Sequence, residues 1–533
     1  MTVDADAPPL RRRTAATPDR EAIVDTDTGV RLSYRELMSR VMRLTNRLAV
    51  SGVTADDRVG LVLPHGLPVV QSVHAVFERG GTVVPVDPTA PPQMVRRQLE
   101  HARVTAVLYT DTTAATVAAA VSVDAETNAN KDRCAVTIRL PSSLVPEDGT
   151  QTLDQDHHQR SAQTVPRRAT APVPVPATEV GTETASVPWR PDREAVVMFT
   201  AGTTGRPAGV RLTGRALRAS AEASACRLGT MPADGWLDCL PMFHMGGFAP
   251  IIRTAHNGTT LYLQQSFDAD TTATVLRTHE ITGLSVVPTM LDRLFASGWT
   301  PPDRLRTVLT GGAPAPVELL DRARERGVPV APTYGLTETA SQVATATPAQ
   351  AVGRPGTVGQ PLVGVRVTIV DEGTPVGPDT SGEIVVSGPT VANGYIDSSR
   401  TEAAMGPYGF RTGDRGYRDE DGYLWVTGRL DDQITTGGMA VAPAVVVDAV
   451  CAHPAVEAAA VVGVTDQTWG ERVCAAVVPA GPFDRETRET LKQHCRDRLA
   501  AHERPKQYQF VEQLPRTASG TVDRAAVRGW FDE

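Results

Sequence analysis

A loop rich in glycine and threonine, FTAGTTGRPAGV at 199–210, has the composition of a phosphate-binding loop. Glycines let the backbone approach phosphate oxygens closely, and threonine hydroxyls add hydrogen-bond donors. The residues of these two types that we expect to contact phosphate are Thr200, Gly202, Thr203, Thr204 and Gly205. Phosphate loops usually carry a lysine as well, and here Ala208 takes its place. The loop therefore predicts phosphate binding without the usual cation.

Further clusters of glycine and polar residues follow in order along the chain. They are PMFHMGG at 241–247, which contains His244, LTGGAPAP at 309–316, TYGLTETASQ at 333–342, FRTGDRGY at 410–417, GRLDDQITTGG at 428–438 and LPRTASGTVDR at 514–524. Any one of them alone is typical of a turn. All of them in one chain indicate a single, elaborate binding site.

Together the clusters contain side chains that suit a nucleotide. Tyr334 can stack on a purine, Asp414 offers two acceptors to ribose hydroxyls, and Arg429 adds a donor. Glu338 can hold Mg²⁺ between phosphates, with Thr337 against the α-phosphate. The other residues that we expect around the purine are Gly311, Gly312, Ala313, Pro314, Thr333 and Gly335.

The elements that must position these clusters alternate between strands and helices. DRVGLVL and GTVVPVD are typical of buried strands, and PVVQSVHAVFERG between them is typical of a helix. The alternation resumes near residue 193 and runs to about 427, with strands such as AVVMF, LRTVLTG and VRVTIVD. It predicts an α/β fold with parallel-rich βαβ sheets. GEIVVSG, GYLWVTG and DDQITTGG predict a small turn-rich β region beside them.

The end of the chain has a pattern of its own. AVVVDAVCAHP and RETLKQHCRDRLAAH predict helices, while VEAAAVVGV and RVCAAVVPA predict strands. Because 533 residues exceed one compact core, we predict a large N-terminal domain over 1–430 and a small, mobile α+β domain over 431–533. A polar stretch at about 145–187, rich in threonine and proline, predicts a disordered insertion.

Composition excludes several classes of protein. A net charge of −8 provides no basic surface for nucleic acid, and no apolar run reaches the length of a membrane span. The N-terminus lacks the apolar core of a secretory signal, which favours a cytoplasmic protein. The six cysteines contain no CxxC pair and are predicted to be free and buried. The oligomeric state stays open, with a homodimer as one option.

The motifs resemble those of the acyl-adenylate-forming superfamily, which contains acyl-CoA synthetases, peptide-synthetase adenylation domains and luciferases. Within it the chain is most similar to the o-succinylbenzoate–CoA ligases of menaquinone synthesis, in stretches such as LPMFHMGGF, APTYGLTETASQVAT and VGQPLVGVRV. The resemblance implies that ATP, Mg²⁺, coenzyme A and a carboxylic acid such as o-succinylbenzoate are bound. It also implies two steps, formation of an acyl-AMP and transfer of the acyl group to the thiol.

The resemblance also implies roles for individual residues. Asp431 matches the hinge about which the small domain rotates, and Gly437 and Gly438 match a segment that lines the pantetheine tunnel. His244 matches a gate beside the acyl pocket, and a buried core histidine is the alternative interpretation. Residues 200–205 match the pyrophosphate loop.

The sequence departs from the family where a cation is usual. The last motif normally ends in Ser-Gly-Lys, whose lysine bridges the acyl oxygen and the α-phosphate, but here Thr521 follows Ser519 and Gly520. Three hypotheses remain open: a succinylbenzoate-type ligase slowed in its first step, an AMP-forming ligase for another acid or acceptor, and a non-catalytic nucleotide-binding protein. Arg516 and Arg524 flank the lost site as potential replacements.

Overall fold

The computed structural model describes residues 7–121, 136–140, 189–200, 208–430, 432, 434–436, 439–441, 443–466, 469–482, 484–516 and 522–531. The chain divides into two compact units. Unit 1 contains Met1–Arg218, Gly235–Ser266 and Tyr395–Asp397, and unit 2 contains Ala219–Asp234, Phe267–Gly394 and Ser398–Glu533. The insertion predicted at 145–187 lies outside the described residues, and the domain boundary at 430/431 stays a prediction.

Unit 1 is built on two groups of mainly parallel strands. The strands are β1 (Glu21–Asp25), β2 (Arg31–Ser33), β3 (Arg58–Val62), β4 (Thr82–Pro85), β5 (Ala106–Tyr109), β6 (Val136–Arg139), β7 (Glu194–Thr200), β8 (Ala208–Thr213), β9 (Gly235–Asp238) and β10 (Thr260–Leu263). One group is ordered β6-β5-β3-β4-β7-β8 and the other β9-β10-β1-β2. The last strand of each group, β8 and β2, runs antiparallel to its neighbour.

Helices pack beside these strands. They are α1 (Pro9–Ala16), α2 (Tyr34–Val50), α3 (Leu67–Glu78), α4 (Pro92–His101), α5 (Ala114–Val121), α6 (Gly214–Leu228), which contains the division between the units, and α7 (Met245–Asn257). A capping box starts α2, because Ser33 and Glu36 each bond the other's backbone N–H. Every residue of α3 is buried, as its apolar sequence predicts.

The first half of unit 2 continues the βα alternation. Its strands are β11 (Gly283–Val286), β12 (Thr307–Thr310), β13 (Val330–Leu336), β14 (Ser341–Thr345) and β15 (Gln360–Pro361), and its helices are α8 (Ala269–Thr278), α9 (Pro288–Ala296), α10 (Val317–Glu325) and α11 (Pro348–Gly353). Strands β11, β12 and β13 are parallel, whereas β14 and β15 are antiparallel. The motifs at 309–316 and 333–342 thus follow or end neighbouring parallel strands.

An antiparallel sheet follows, ordered β17-β16-β18-β20-β19 with β21 beside β20. Its elements are β16 (Arg366–Asp371), β17 (Thr374–Pro375), β18 (Gly382–Ser387), α12 (Ser398–Ala404), β19 (Met405–Gly406), β20 (Gly409–Arg418) and β21 (Leu424–Arg429). The stretch VRVTIVD, predicted as part of the βα alternation, forms β16 of this sheet. Most connections here are too short for the crossover helix that parallel strands need, and neighbouring strands pair as antiparallel ladders. The longer connection from β18 to β19 contains α12.

The C-terminal part of unit 2 is a separate α+β arrangement. It consists of β22 (Ile434–Thr436), β23 (Met439–Val441), α13 (Pro443–Cys451), β24 (Val456–Asp466), β25 (Gly470–Pro479), α14 (Arg485–Arg498), β26 (Gln507–Phe510) and α15 (Arg524–Gly529). One core cluster joins α13 and α14 to the sheet through Val446, Val450, Leu491 and Cys495. Helices α13 and α14 and strands β24 and β25 agree with those that the sequence predicts, whereas DDQITTGG, predicted for the turn-rich β region, contributes β22 to this sheet.

The α/β fold class predicted from the sequence is confirmed. Within the described ranges, no helix combines the length and the apolar character needed to cross a membrane. Cys239, Cys474 and Cys495 are free and buried, and Cys451 is partly buried, as predicted. The prediction is wrong for Cys226, which is exposed because it lies one helical turn after the exposed Glu222 on α6.

Candidate functional site

The carboxylate of Asp414 forms the centre of a polar cluster in unit 2. Its Oδ2 accepts a hydrogen bond of 2.6 Å from the Tyr334 hydroxyl, and its Oδ1 accepts one of 3.1 Å from Arg429 Nη1. Tyr334 lies near the end of β13, while Asp414 and Arg429 are paired across β20 and β21. The structure therefore brings together three side chains that the sequence predicts for the purine and the ribose.

Burial sets the protonation behaviour of this cluster. It raises the pKa of Asp414, because a buried carboxylate loses hydration, while the bonds from Tyr334 and Arg429 act in the opposite direction. The charge of Glu338 adds to the upward shift of the Asp414 pKa, which places Glu338 in the electrostatic neighbourhood of the cluster. Burial also raises the pKa of the Tyr334 phenol, so this hydroxyl stays protonated and donates.

Close backbone packing explains two of the glycines at this site. A Cβ atom on Gly311, which follows β12, would lie 2.6 Å from Cγ2 of Thr333. A Cβ atom on Gly335 would lie 1.7 Å from the backbone oxygen of Ser341. Both strand ends therefore require glycine, and no side chain of these two residues occupies the space beside Tyr334. Gly312, Ala313 and Pro314 continue the turn after β12.

Glu338 lies in a single 3₁₀ turn, Thr337–Thr339, whose backbone is held on several sides. Ala392 N–H donates to the carbonyl of Glu338 at 2.8 Å, and the Ser220 hydroxyl donates to that of Ala340 at 2.6 Å. Ala340 and Ser341 have φ angles of +51° and +111°, which non-glycine residues rarely adopt. Strain of this kind concentrates at functional sites and fixes the direction of the chain.

A magnesium ion is compatible with this donor set. Among the described residues, no group of three or more histidine, cysteine or acidic side chains is arranged to hold a metal. Mg²⁺ commonly takes only one or two protein carboxylates and completes its shell with water and phosphate oxygens. A single carboxylate such as Glu338 beside bound phosphates is therefore chemically suitable.

His244 lies at the N-cap position of α7 in unit 1, where its side chain makes no capping hydrogen bond and is mostly enclosed. Its Nε2 atom is buried and, among the described residues, has no hydrogen-bond partner. Burial lowers the pKa of the imidazole, although the charge of Asp87 opposes that shift, so the ring is neutral at neutral pH. The ring packs against Phe243 at a centroid distance of 4.6 Å. An unpaired buried nitrogen favours a ligand contact over the core-histidine alternative.

Thr200 is the last residue of β7, where it pairs with Ala208 of β8. Ala208 is 4% exposed, so its methyl group packs inside unit 1 at the base of the predicted phosphate loop. Several predicted site residues lie outside the described residues: Gly202, Thr203, Thr204, Gly205, Asp431, Gly437, Gly438 and Thr521.

Arg524, one of two arginines considered as replacements for the missing lysine, is already paired. Its Nη1 atom donates to a carboxylate oxygen of Asp432 in a close ion pair. Asp432 also adds to the upward shift of the Asp414 pKa. The Arg524 guanidinium therefore neutralises a neighbouring carboxylate, which argues against its use as the missing cation.

Sequence reasoning missed Glu383, a carboxylate on β18 whose side chain is 10% exposed. Its Oε1 accepts from the backbone N–H of Gly413 at 3.3 Å, and its Oε2 accepts from Arg411 Nε at 2.9 Å. The signal in the sequence was a single acidic residue inside the apolar run GEIVVSG. A buried carboxylate must find partners, so this residue had to contact donors on a neighbouring strand.

A cavity of about 310 Å³ in unit 1 lies away from the predicted chemistry. It is lined by Ala55, Asp56, Gly80, Gly81, Trp189, Arg190, Arg193, Glu194 and Ala195. These residues lie near the amino ends of β3, β4 and β7, whereas Thr200 ends β7 at the opposite edge. The predicted site residues are absent from the cavity lining.

Comparisons with known proteins agree with this geometry. Residues 10–396 match the family described as AMP-binding enzyme, and residues 448–521 match the AMP-binding enzyme C-terminal domain. The 2-succinylbenzoate–CoA ligase of Bacillus licheniformis is 34% identical over 516 residues, which cover 97% of this chain and 98% of that protein.

Solved structures show the same similarity. The o-succinylbenzoate CoA synthetase of Bacillus subtilis in complex with its acyl-adenylate intermediate superimposes with a TM-score of 0.82 at 29% identity, covering 99% of this chain and 98% of that one. An amide bond synthetase from Marinactinospora thermotolerans has a TM-score of 0.83 at 28% identity, covering 99% of this chain and 100% of that one. The family predicted from the motifs is confirmed, and the chain belongs to the AMP-binding enzyme family.

Proposed function

We propose that this protein is an ATP-dependent acid–CoA ligase that acts on 2-succinylbenzoate or a closely similar acid. The observation that carries the proposal is the cluster of Tyr334, Asp414 and Arg429, which provides an aromatic face and a buried, paired carboxylate. The identity of 34% to a 2-succinylbenzoate–CoA ligase over almost the whole chain supports the substrate class and a role in menaquinone synthesis.

In the proposed complex, ATP lies with its purine against Tyr334 and its ribose hydroxyls on Asp414. Arg429 favours the ionised form of the Asp414 carboxyl group and bonds its Oδ1 atom. Thr337 donates to the α-phosphate, and the Glu338 carboxylate holds Mg²⁺, which neutralises phosphate charge when bound. Thr200 and the glycine- and threonine-rich residues after it would contact the β- and γ-phosphates.

The reaction then takes two steps. A carboxylate oxygen of the acid attacks the α-phosphorus, the bond to the bridging oxygen breaks, and pyrophosphate leaves. The thiolate of coenzyme A next attacks the acyl carbon, a carbon–sulfur bond forms, and AMP leaves with the electron pair of the acyl–oxygen bond. The role of His244 as a gate beside the acyl pocket is carried over from the family, and its buried Nε2 atom is a hydrogen-bonding group suited to that role.

We also infer that the C-terminal part acts as a lid that begins near Asp431. The two family matches end at residue 396 and begin at residue 448, so the proposed boundary at 430/431 falls between them. Gly437 and Gly438 would line the pantetheine path after the lid moves.

The test is an assay of the purified full chain with ATP, Mg²⁺, 2-succinylbenzoate and coenzyme A. We expect pyrophosphate, AMP and 2-succinylbenzoyl-CoA in equal amounts, detected by coupled phosphate release and chromatography. A panel that includes benzoate, succinate and 4-phenylbutyrate measures the contribution of each carboxylate. Pyrophosphate release with none of the acids, together with no ATP binding in calorimetry, would overturn the proposal.

A second candidate is an AMP-forming ligase that transfers the acyl group to an amine. The similarity to the amide bond synthetase over the whole chain favours it, because that protein has the same fold and a different class of product. Supplying a preformed acyl-AMP with either coenzyme A or a panel of amines separates the two candidates. Thioester formation that exceeds amide formation at equal acceptor concentration supports the first.

Replacing Tyr334 with phenylalanine tests the proposed ribose contact through its pH dependence. The raised pKa of Asp414 means that nucleoside affinity falls as the pH is lowered through that pKa, because the protonated carboxyl loses acceptor strength. The Tyr334 hydroxyl lowers the pKa of Asp414, so Tyr334→Phe should shift the loss of affinity to higher pH.

Adenosine is the appropriate probe for this experiment, since it carries the ribose without a titrating phosphate. Calorimetric titrations between pH 5 and pH 8 on the native and Tyr334→Phe proteins would give the two profiles. Tyr417→Phe, at a tyrosine on the same strand as Asp414, is the matched control and should leave the profile in place. Coincident profiles for all three proteins would contradict the role of Tyr334.

A further inference from the structure

The strand that carries Asp414 is irregular at that point. Three residues of β20, Thr412–Asp414, face the single residue Ile384 of β18, because the pairing of the two strands slips there. A bulge of this kind interrupts the backbone ladder and re-aims the side chains on it. The backbone groups inside the bulge therefore need partners other than those of a regular sheet.

Two side chains supply these partners. The Thr412 hydroxyl donates to the carbonyl of Ile384 at 2.7 Å and accepts from Asp414 N–H at 3.0 Å. The Glu383 carboxylate accepts from Gly413 N–H at 3.3 Å. Hydrogen bonds from the side chains of Thr412 and Glu383 thus replace the backbone hydrogen bonds that the bulge interrupts around Asp414.

The turn is also confined from the side of Arg429. Gly413 has a φ angle of +71°, and a Cβ atom on it would lie 2.9 Å from Nη2 of Arg429. Glu383 bonds the Gly413 amide, while Arg429 packs over its Cα and bonds Asp414. The position of the Asp414 carboxylate is therefore set by a buried acid on one strand and an arginine on another.

We propose that Glu383 is a positioning residue for the nucleotide, which holds the Gly413–Asp414 turn in the geometry that receives the ribose. This inference rests on the proposed function, in which Asp414 accepts the ribose hydroxyls. Glu383 makes its described hydrogen bonds to Gly413 and Arg411, so it acts through Asp414 and not on the nucleotide itself. Its buried charge is balanced by Arg411, which is 53% exposed.

The test compares Glu383→Ala, Glu383→Gln and Arg411→Ala with the native chain. Loss of a hydrogen bond to a charged group should raise the Kd for AMP by roughly tenfold or more in Glu383→Ala, with the KM for the acid unchanged. Glu383→Gln keeps an acceptor for Gly413 N–H, so this variant should retain most of the native affinity for AMP. Arg411→Ala removes the outer partner alone and should change the Kd by less than twofold.

Asp414→Asn in the same series separates this inference from the proposed function. If the native chain binds AMP and Asp414→Asn weakens it while Glu383→Ala does not, the positioning role is wrong and the function stands. If neither the native chain nor any variant binds AMP, the proposed function fails first.

An equal rise in the KM values for ATP and the acid in Glu383→Ala would indicate general loss of structure and would also overturn the positioning role. Should Glu383→Ala not fold, Glu383→Met takes its place, because methionine keeps most of the side-chain bulk and removes the acceptor for Gly413 N–H. An AMP affinity within twofold of the native value in Glu383→Met would overturn the positioning role.

Discussion

Substituting lysine for Thr521 is expected to raise the rate of acid-dependent pyrophosphate release by roughly 10²–10³-fold, the range that a single charge-stabilising contact usually contributes to a transition state. Negative charge accumulates around the α-phosphate as the carboxylate attacks. A neutral hydroxyl does not offset that charge, whereas an ammonium at the position that the family gives to lysine would. The native chain should therefore be limited in its first step.

The structure strengthens this expectation because it argues against one potential replacement for the missing lysine. Arg524, three residues beyond Thr521, is paired with Asp432, so its charge is already neutralised. Ala208, where phosphate loops usually carry lysine, is buried and has no charge to offer. Two cations are thus replaced by uncharged residues, and a lysine at 521 restores the one that belongs to the C-terminal part.

The measurement is pyrophosphate release with saturating ATP, Mg²⁺ and acid, without coenzyme A. Thr521→Met is the matched control, since methionine approaches lysine in length and lacks its charge. The thioester step, started from preformed acyl-AMP, should be the same in native and Thr521→Lys proteins within about twofold, because that step needs no phosphoryl transfer. Equal pyrophosphate rates in all three proteins would show that the chain supplies its cation elsewhere.

The clustering of Tyr334, Asp414 and Arg429 could be predicted because the residue types are specific and lie at strand ends. Tyr334 and Asp414 are 80 residues apart in the sequence, yet their hydrogen bond joins the end of a parallel strand to a turn of an antiparallel one. No local pattern contains that contact. The grouping followed from the chemistry of a nucleoside, which needs an aromatic face and paired acceptors, and the binding role of these residues stays a prediction.

Other features could not be predicted, for physical reasons. The alternation in VRVTIVD is compatible with either strand direction, so the sequence could not show that this strand pairs with GEIVVSG in the antiparallel sheet. The role of Glu383 depends on the bulge in β20, because its carboxylate bonds the backbone amide of Gly413, and a sequence pattern does not show which carboxylate reaches that amide. Exposure of Cys226 likewise depends on which face α6 turns outward.

Removing the charge of Glu338 is expected to be the most damaging substitution in the described part of the site. Glu338→Gln should lower acid-dependent pyrophosphate release by roughly 10²–10³-fold, because a metal or charge contact made in the transition state is lost. The backbone of its turn is fixed by Ser220 and Ala392, and the strained Ala340–Ser341 pair follows it. The amide should therefore occupy the same place as the carboxylate, so the effect would come from charge and not from rearrangement.

Magnesium dependence distinguishes this role from a purely electrostatic one. In the native protein, calorimetry should show tighter ATP binding when Mg²⁺ is present, and this gain should be lost in Glu338→Gln. Glu318→Gln, at an exposed acid on α10, has the same chemical change and is the control.

The charge of Glu338 also adds to the upward shift of the Asp414 pKa, so its removal should let Asp414 ionise more readily and should not weaken adenosine binding. A variant that lost adenosine and metal-dependent ATP binding together would show that Glu338 supports the fold of the site and does not hold the ion. A selective loss of the magnesium effect identifies the residue that places charge next to the α-phosphate, and it would explain why a chain without the two usual lysines still retains this carboxylate.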